Sequence, residues 1–259
     1  MKKTVLTVSI AIVSIAIIVL GFFMIKGKTQ KVKNPIATIQ IEGYEKPIKI
    51  ELDAQSAPNA VSNFIKLANQ GFYNDYTMSI NDGKLTCAEN KNATMSNLQE
   101  NPQSNYTYGI KGDIAVNDVD NFIRHEKGVI TMERDDYSYF GYAKEGYNSA
   151  NSKFSILTKD NSKLNGLYAA FGKVIDGMDV IDAIAATRVE TSNNTSTQNS
   201  ESKTNVNKIK IKSITVDTFG EDYGIPDVTN NEDVVKKVNQ IYQQYFGGGN
   251  NNSNNSTNK

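Results

Sequence analysis

The chain has 259 residues, room for one sizeable domain with appendages. Its 28 basic and 28 acidic residues cancel, which argues against a nucleic-acid partner held by bulk electrostatics. A single cysteine, Cys87, excludes an intrachain disulfide, and a single histidine, His125, excludes a multi-histidine zinc site.

The amino terminus comes first. Thr4 to Ile25 holds no charge in 22 residues, enough to span a bilayer core as a helix. The run ends in GFFMIKGK, without a small-x-small cleavage site, which favours an uncleaved anchor over a cleaved signal. No cysteine follows, so a lipoprotein signal is excluded. Lys2 and Lys3 precede the span, and Lys26, Lys28, Lys31 and Lys33 follow it. Counted alone, these place the body inside.

A short basic linker, residues 31–35, leads to the body. IATIQIEGYEKPIKIEL reads as a hairpin, with Ile48, Ile50 and Leu52 alternating against Lys49 and Glu51. SAPNAVSNFIKLANQGFY predicts a helix. Ser56 is its expected cap, Pro58 falls in the first turn, and Gly71 is its stop. Val61, Phe64, Ile65 and Ala68 share one apolar face. From Asn81 to Asp120 the pattern weakens, with one short strand signal near Ile114. GVITM and KFSIL read as strands around a long loop that carries Tyr137 to Tyr147. LYAAFGKVI is a further strand. DGMDVIDAIAA is a short helix, with Asp176 as a candidate cap and Met178, Ile181 and Ile184 on one face. Glu190 to Asn205 reads as a flexible loop. KIKIKSITVDT returns to strand, and the phase change between Ile211 and Ile214 predicts a β-bulge near Lys212. NEDVVKKVNQIYQQYF can form an amphipathic helix with Val234, Val238, Ile241 and Tyr245 on one side. A disordered tail follows. The expected division is an anchor over 1–30, the linker, a main domain over 36–219 and an extension over 220–259. Many short strands with few helices make the class mainly β, a barrel or sandwich with capping helices.

Three stretches in order carry a family resemblance: APNAVSNFIKLANQGFYND, HEKGVITMER, and NSANSKFSILTKDNSKLNGLYAAFGKVIDGMDVIDAI. Together they resemble the cyclophilin-type peptidyl-prolyl cis-trans isomerases. The resemblance implies an eight-stranded antiparallel barrel closed by two helices, here behind a transmembrane helix. It also implies a catalyst of X–Pro isomerisation that needs no cofactor and no metal. The barrier is about 18–20 kcal/mol, from loss of amide resonance. Lowering it requires an apolar pocket for the proline ring and donors aimed at the twisted amide. The implied partners are proline-containing peptides or exported client proteins, with the body outside a cell membrane that it crosses once.

The family's groove residues carry over unevenly. TFHRV falls on Thr77 to Asn81, so the catalytic arginine position is Ile80. The pocket phenylalanine and methionine fall on Leu85 and Thr86, and the glutamine on Ala88. The alanine after the SM strand is Glu133. Arg134 matches an arginine common in bacterial members. In SQFFI the glutamine becomes Lys153, Phe154 falls in the core, and the pocket phenylalanine becomes Ser155. The tryptophan position is Lys163, while Leu164 and Tyr168 match the family. The chain has only three arginines, Arg124, Arg134 and Arg188, and Lys153 would not reproduce a guanidinium fork. The resemblance therefore implies an isomerase with very weak or lost activity, or a non-catalytic binding module on the same barrel. Glu133 reads either as an exposed strand residue or as a group that makes the groove acidic. The tyrosines of the 137–147 loop read either as packing on the barrel or as a lid or contact surface. His125, in RHEKG, reads as part of a solvated loop, although a Ser-His-Asp triad would have to use it.

Overall fold

The computed structural model describes residues 33–87, 108–187, 209–230 and 232–246. The expected anchor, the loop from Glu190 to Asn205, the tail, Ala88 and Arg188 lie outside the described residues. No helix among the described residues is long and apolar enough to cross a membrane.

In chain order the strands are β1 (Ile36–Ile41), β2 (Ile48–Leu52), β3 (Thr77–Asn81), β4 (Lys84–Cys87), β5 (Tyr108–Ile110), β6 (Val129–Met132), β7 (Phe154–Leu157), β8 (Ala170–Asp176), β9 (Ile209–Asp217) and β10 (Val228–Asn230). The helices are α1 (Pro58–Asn69), α2 (Ala143–Tyr147), α3 (Met178–Thr187) and α4 (Glu232–Phe246). Eight strands close an antiparallel barrel in the order β1-β2-β8-β6-β7-β4-β3-β9. Closure leaves the barrel without a free edge.

Alternation determines what each strand buries. Ile48, Ile50 and Leu52 enter the core while Lys49 and Glu51 stay out. Helix α1 buries Val61, Phe64, Ile65 and Ala68, and α3 buries Ile181 and Ile184 in the same core. Phe64 lies 5.4–5.5 Å from the rings of Tyr73, Phe154 and Phe171. Burying such a side chain contributes about 1.5–3 kcal/mol. The bulge falls where the phase change predicts it. Gln40 pairs with Ser213 and Ile41 with Ile211, so Lys212 has no opposite residue. The extra residue lets Ile211 and Ile214 both face inward.

The helix ends differ from expectation. Ser56 does not cap α1; its hydroxyl donates to Asp53 Oδ2 at 2.8 Å. The open end of α1 is served from 53 residues away by Asp113, whose carboxylate accepts from Ala60 N at 2.8 Å and Asn59 Nδ2 at 3.1 Å. Asp176 stands one residue too early to cap α3, because Val180 and Ile181 donate to the Gly177 carbonyl. Asp176 instead pairs with Lys46 at 3.0 Å. Ile114 is not in a strand; it is buried just before a 3-10 turn at Ala115–Asn117. Among the described residues, β4 and β5 fall in that region. β5 pairs with β10 of the carboxyl-terminal extension. On α4, Val234 is buried but Tyr245 is 72% exposed, so the packed side ends before Tyr245.

Asp113 gives a pH prediction. Burial pushes its carboxyl from 3.8 up to about 6, against the N–H bonds that pull it down. A folded value above the unfolded one stabilises below about pH 4, and that contribution is lost as pH rises through about 6. Urea unfolding of Asp113→Asn should therefore lack a loss of up to about 3 kcal/mol that the parent shows between pH 4 and 6. Parallel curves would contradict the assignment.

Candidate functional site

The site forms where β4, β7 and β6 turn their outer faces toward the segment leading into β8. On β4, Leu85 and Cys87 are buried in the core, so Lys84 and Thr86 face the other way. On β7, Phe154 and Ile156 enter the core and Ser155 takes the outer face. On β6, Ile130 and Met132 enter the core, leaving Thr131, with Glu133 just beyond the strand.

These outer residues join in one polar network. Lys84 Nζ lies 2.7 Å from Glu133 Oε1. Ser155 Oγ donates to the same oxygen at 2.5 Å. Thr86 Oγ1 and Ser155 Oγ are 2.7 Å apart, and since the Ser155 proton is committed to Glu133, Thr86 is the donor. The side chains of Lys84 and Glu133 keep 22% and 11% of their exposure, so the pair is largely desolvated. Beside it, the Arg134 guanidinium packs over the rings of both Tyr147 and Tyr168, 4.8 and 4.6 Å from their centroids. Its Nε donates to Leu167 O at 2.9 Å and its Nη1 to Asp135 O at 3.0 Å. Lys84 Nζ reaches to 6.0 Å over the same Tyr168 ring.

Of the sequence-predicted residues, the fold brings Glu133, Arg134, Ser155 and Tyr168 together. Lys153 stands half-buried beside them at the entry to β7, its carbonyl accepting from Glu133 N at 2.9 Å. Leu164 turns to a separate small cluster with Val129, Leu157, Ala170 and Ile123. Lys163 is exposed on the turn Ser162–Leu164.

Ile80 is turned inward and packs against the core. The cause is a two-residue hairpin at Asp82 and Gly83, both with positive φ (47° and 74°). It pairs Ile80 with Leu85 on the core side and Ser79 with Thr86 on the outer side. A donor reaching outward from β3 would therefore stand at Ser79, not Ile80, and neither residue carries a guanidinium.

Two other expectations are corrected. Glu133 is neither exposed nor an uncompensated acid, because Lys84 neutralises it. His125 is not in a solvated loop; it is 2% exposed. Its Nδ1 lies 3.1 Å from Asn165 Oδ1 and its Nε2 3.0 Å from Thr131 Oγ1. Because the amide oxygen can only accept, Nδ1 carries the proton and Nε2 accepts from Thr131. Burial pushes the imidazole below its usual range. With a hydroxyl and an amide for neighbours, His125 fastens the Asn165 turn to the barrel. The tyrosine loop divides: Tyr137 is buried and Tyr139 is exposed, while Tyr147 from α2 forms one wall of the Arg134 stack.

Lys84 is a site residue that sequence reasoning missed. For Lys84, the signal was the DG turn followed by alternation across Lys84, Leu85, Thr86 and Cys87. The sequence marks Tyr147 only as one tyrosine of the 137–147 loop, without its partner Arg134.

A family model described as cyclophilin type peptidyl-prolyl cis-trans isomerase/CLD matches residues 36–216. The chain is 32% identical over 149 residues to peptidyl-prolyl cis-trans isomerase A of Dickeya dadantii, covering 55% of this chain and 68% of that protein. It is 28% identical over 138 residues to peptidyl-prolyl cis-trans isomerase B of Bacillus subtilis, covering 51% and 78%. Among solved structures, it is similar to a Cryptosporidium parvum cyclophilin type isomerase at 21% identity and a TM-score of 0.48, covering 71% of this chain and 98% of that one. The match over most of the chain, on a closed eight-stranded barrel, means that this protein belongs to the cyclophilin-type peptidyl-prolyl cis-trans isomerase family.

Proposed function

We propose that this protein is a membrane-anchored cyclophilin-family folding factor that binds proline-containing segments of exported proteins and accelerates their isomerisation very weakly or not at all. The family match and the relatives support peptidyl-prolyl isomerase function as the starting point. The observation that carries the weaker activity is the Lys84–Glu133–Ser155–Thr86 network. It lies where the resemblance asks for an apolar proline pocket. A proline ring gains little by displacing a desolvated ion pair. The outer face of β3 also carries Ser79 in place of a guanidinium. Anchoring is supported by the charge-free run from Thr4 to Ile25, and the outward placement of the body by analogy with exported folding factors.

The test is a proline-isomerisation assay on the full chain in detergent micelles. Loss of one transition-state donor alone costs about 10²–10³ in rate. Turnover at least about 100-fold below an active cyclophilin is expected, and comparable turnover refutes the reading. Retention of the full chain in alkaline-washed membranes tests the anchor, and release into the wash contradicts it.

A further inference from the structure

We infer that the stacked guanidinium of Arg134 is a carboxylate-binding site, so that the groove selects peptides carrying an acidic group close to proline. This inference rests on reading the groove as a peptide-binding surface.

A guanidinium has five N–H donors and no acceptor. Arg134 spends two of them on the carbonyls of Leu167 and Asp135. Those two bonds, with the rings of Tyr147 and Tyr168 packed against it, hold its plane. Among the described residues no acidic side chain closes an ion pair with it. Glu133 is taken by Lys84 and Ser155. Asp135 accepts the Tyr137 hydroxyl at 2.7 Å, and Asp136 accepts the Ser138 backbone N–H at 3.0 Å. Each of these acids hydrogen-bonds elsewhere, Asp136 reaching Arg134 only through its charge, so the remaining N–H groups of Arg134 are left for a ligand.

A guanidinium already held in one plane loses little freedom when it binds, and its fork matches a carboxylate with two parallel hydrogen bonds. A purely structural Arg134, clamping the α2 loop to Tyr168, would give the same stack but no preference for acidic ligands. That difference can be measured.

The experiment is titration calorimetry of the full chain in detergent micelles. The probes are N-acetylated, C-amidated proline peptides with glutamate at each position flanking proline, their glutamine counterparts, and a glutamine peptide with a free carboxyl terminus. At least one glutamate peptide, or the free-terminus peptide, should bind about tenfold or more tightly than its neutral counterpart. Which of the two does so identifies the source of the carboxylate. Arg134→Gln should bring that ratio close to one, and Arg134→Lys should recover only part of it. The parent ratio stands even where a variant folds poorly. Equal binding of charged and neutral peptides overturns this inference alone. Retention of the ratio in Arg134→Gln also overturns it. Failure of every peptide to bind overturns the groove reading and this inference with it.

Discussion

Glu133→Ala is expected to destabilise the protein by about 3 kcal/mol, far more than removal of an ordinary surface carboxylate. The substitution leaves the Lys84 ammonium, on a side chain 22% exposed, without its counter-ion and Ser155 without its acceptor. Urea unfolding at neutral pH measures the loss. Lys84→Met in the Glu133→Ala background should restore most of it, because the stranded charge is then gone. A single-variant loss below about 1 kcal/mol would mean that solvent screens the pair, and the polar network would then not exclude an apolar ligand. Simple additivity in the double variant would mean the same.

The second large effect is on activity. Lys84→Met, Glu133→Ala and Ser155→Phe together exchange the polar network for apolar volume, and Ser79→Arg adds an outward donor. The quadruple variant should isomerise proline peptides at least about tenfold faster than the parent, part of the 10²–10³ that one donor can supply. Ser155→Phe alone should only destabilise, since Ser155 has no exposed surface and the neighbouring side chains still fill the space. Ile80→Arg should give no activity and should cost stability, about 1–3 kcal/mol, because that side chain packs on the core. If Ile80→Arg raised turnover and Ser79→Arg did not, the register assigned to the β3–β4 hairpin would be wrong.

Much of the barrel was legible because its signals are local. The alternation across Ile48, Ile50 and Leu52, the apolar face of α1 and the bulge at Lys212 each rest on residues close in sequence. The site was less legible because its determinants are not local. Ser56 looks like a cap until Asp113 arrives from 53 residues away. His125 sits among charged neighbours, yet Asn165, 40 residues later, helps to bury it. A three-residue strand such as β10 has too short a period to announce its pairing with β5. Ile80 shows the sharpest form of the problem. Ungapped counting from GFYND reaches it, but the two-residue turn at Asp82 and Gly83 sets the pairing, and a shift of one residue moves a side chain to the other face.

Above all, the groove is expected to hold proline peptides while accelerating their isomerisation very weakly or not at all. Exchange spectroscopy on a labelled proline peptide, with the full chain in detergent micelles, reads both halves in one sample. Titration should give chemical-shift changes at the Arg134 and Tyr168 amides. The cis and trans peptide signals should interconvert at a rate close to that in buffer, over tens of seconds or more. Cross-peaks between the two isomers within a mixing time of about a second, at catalytic protein concentrations, would contradict this.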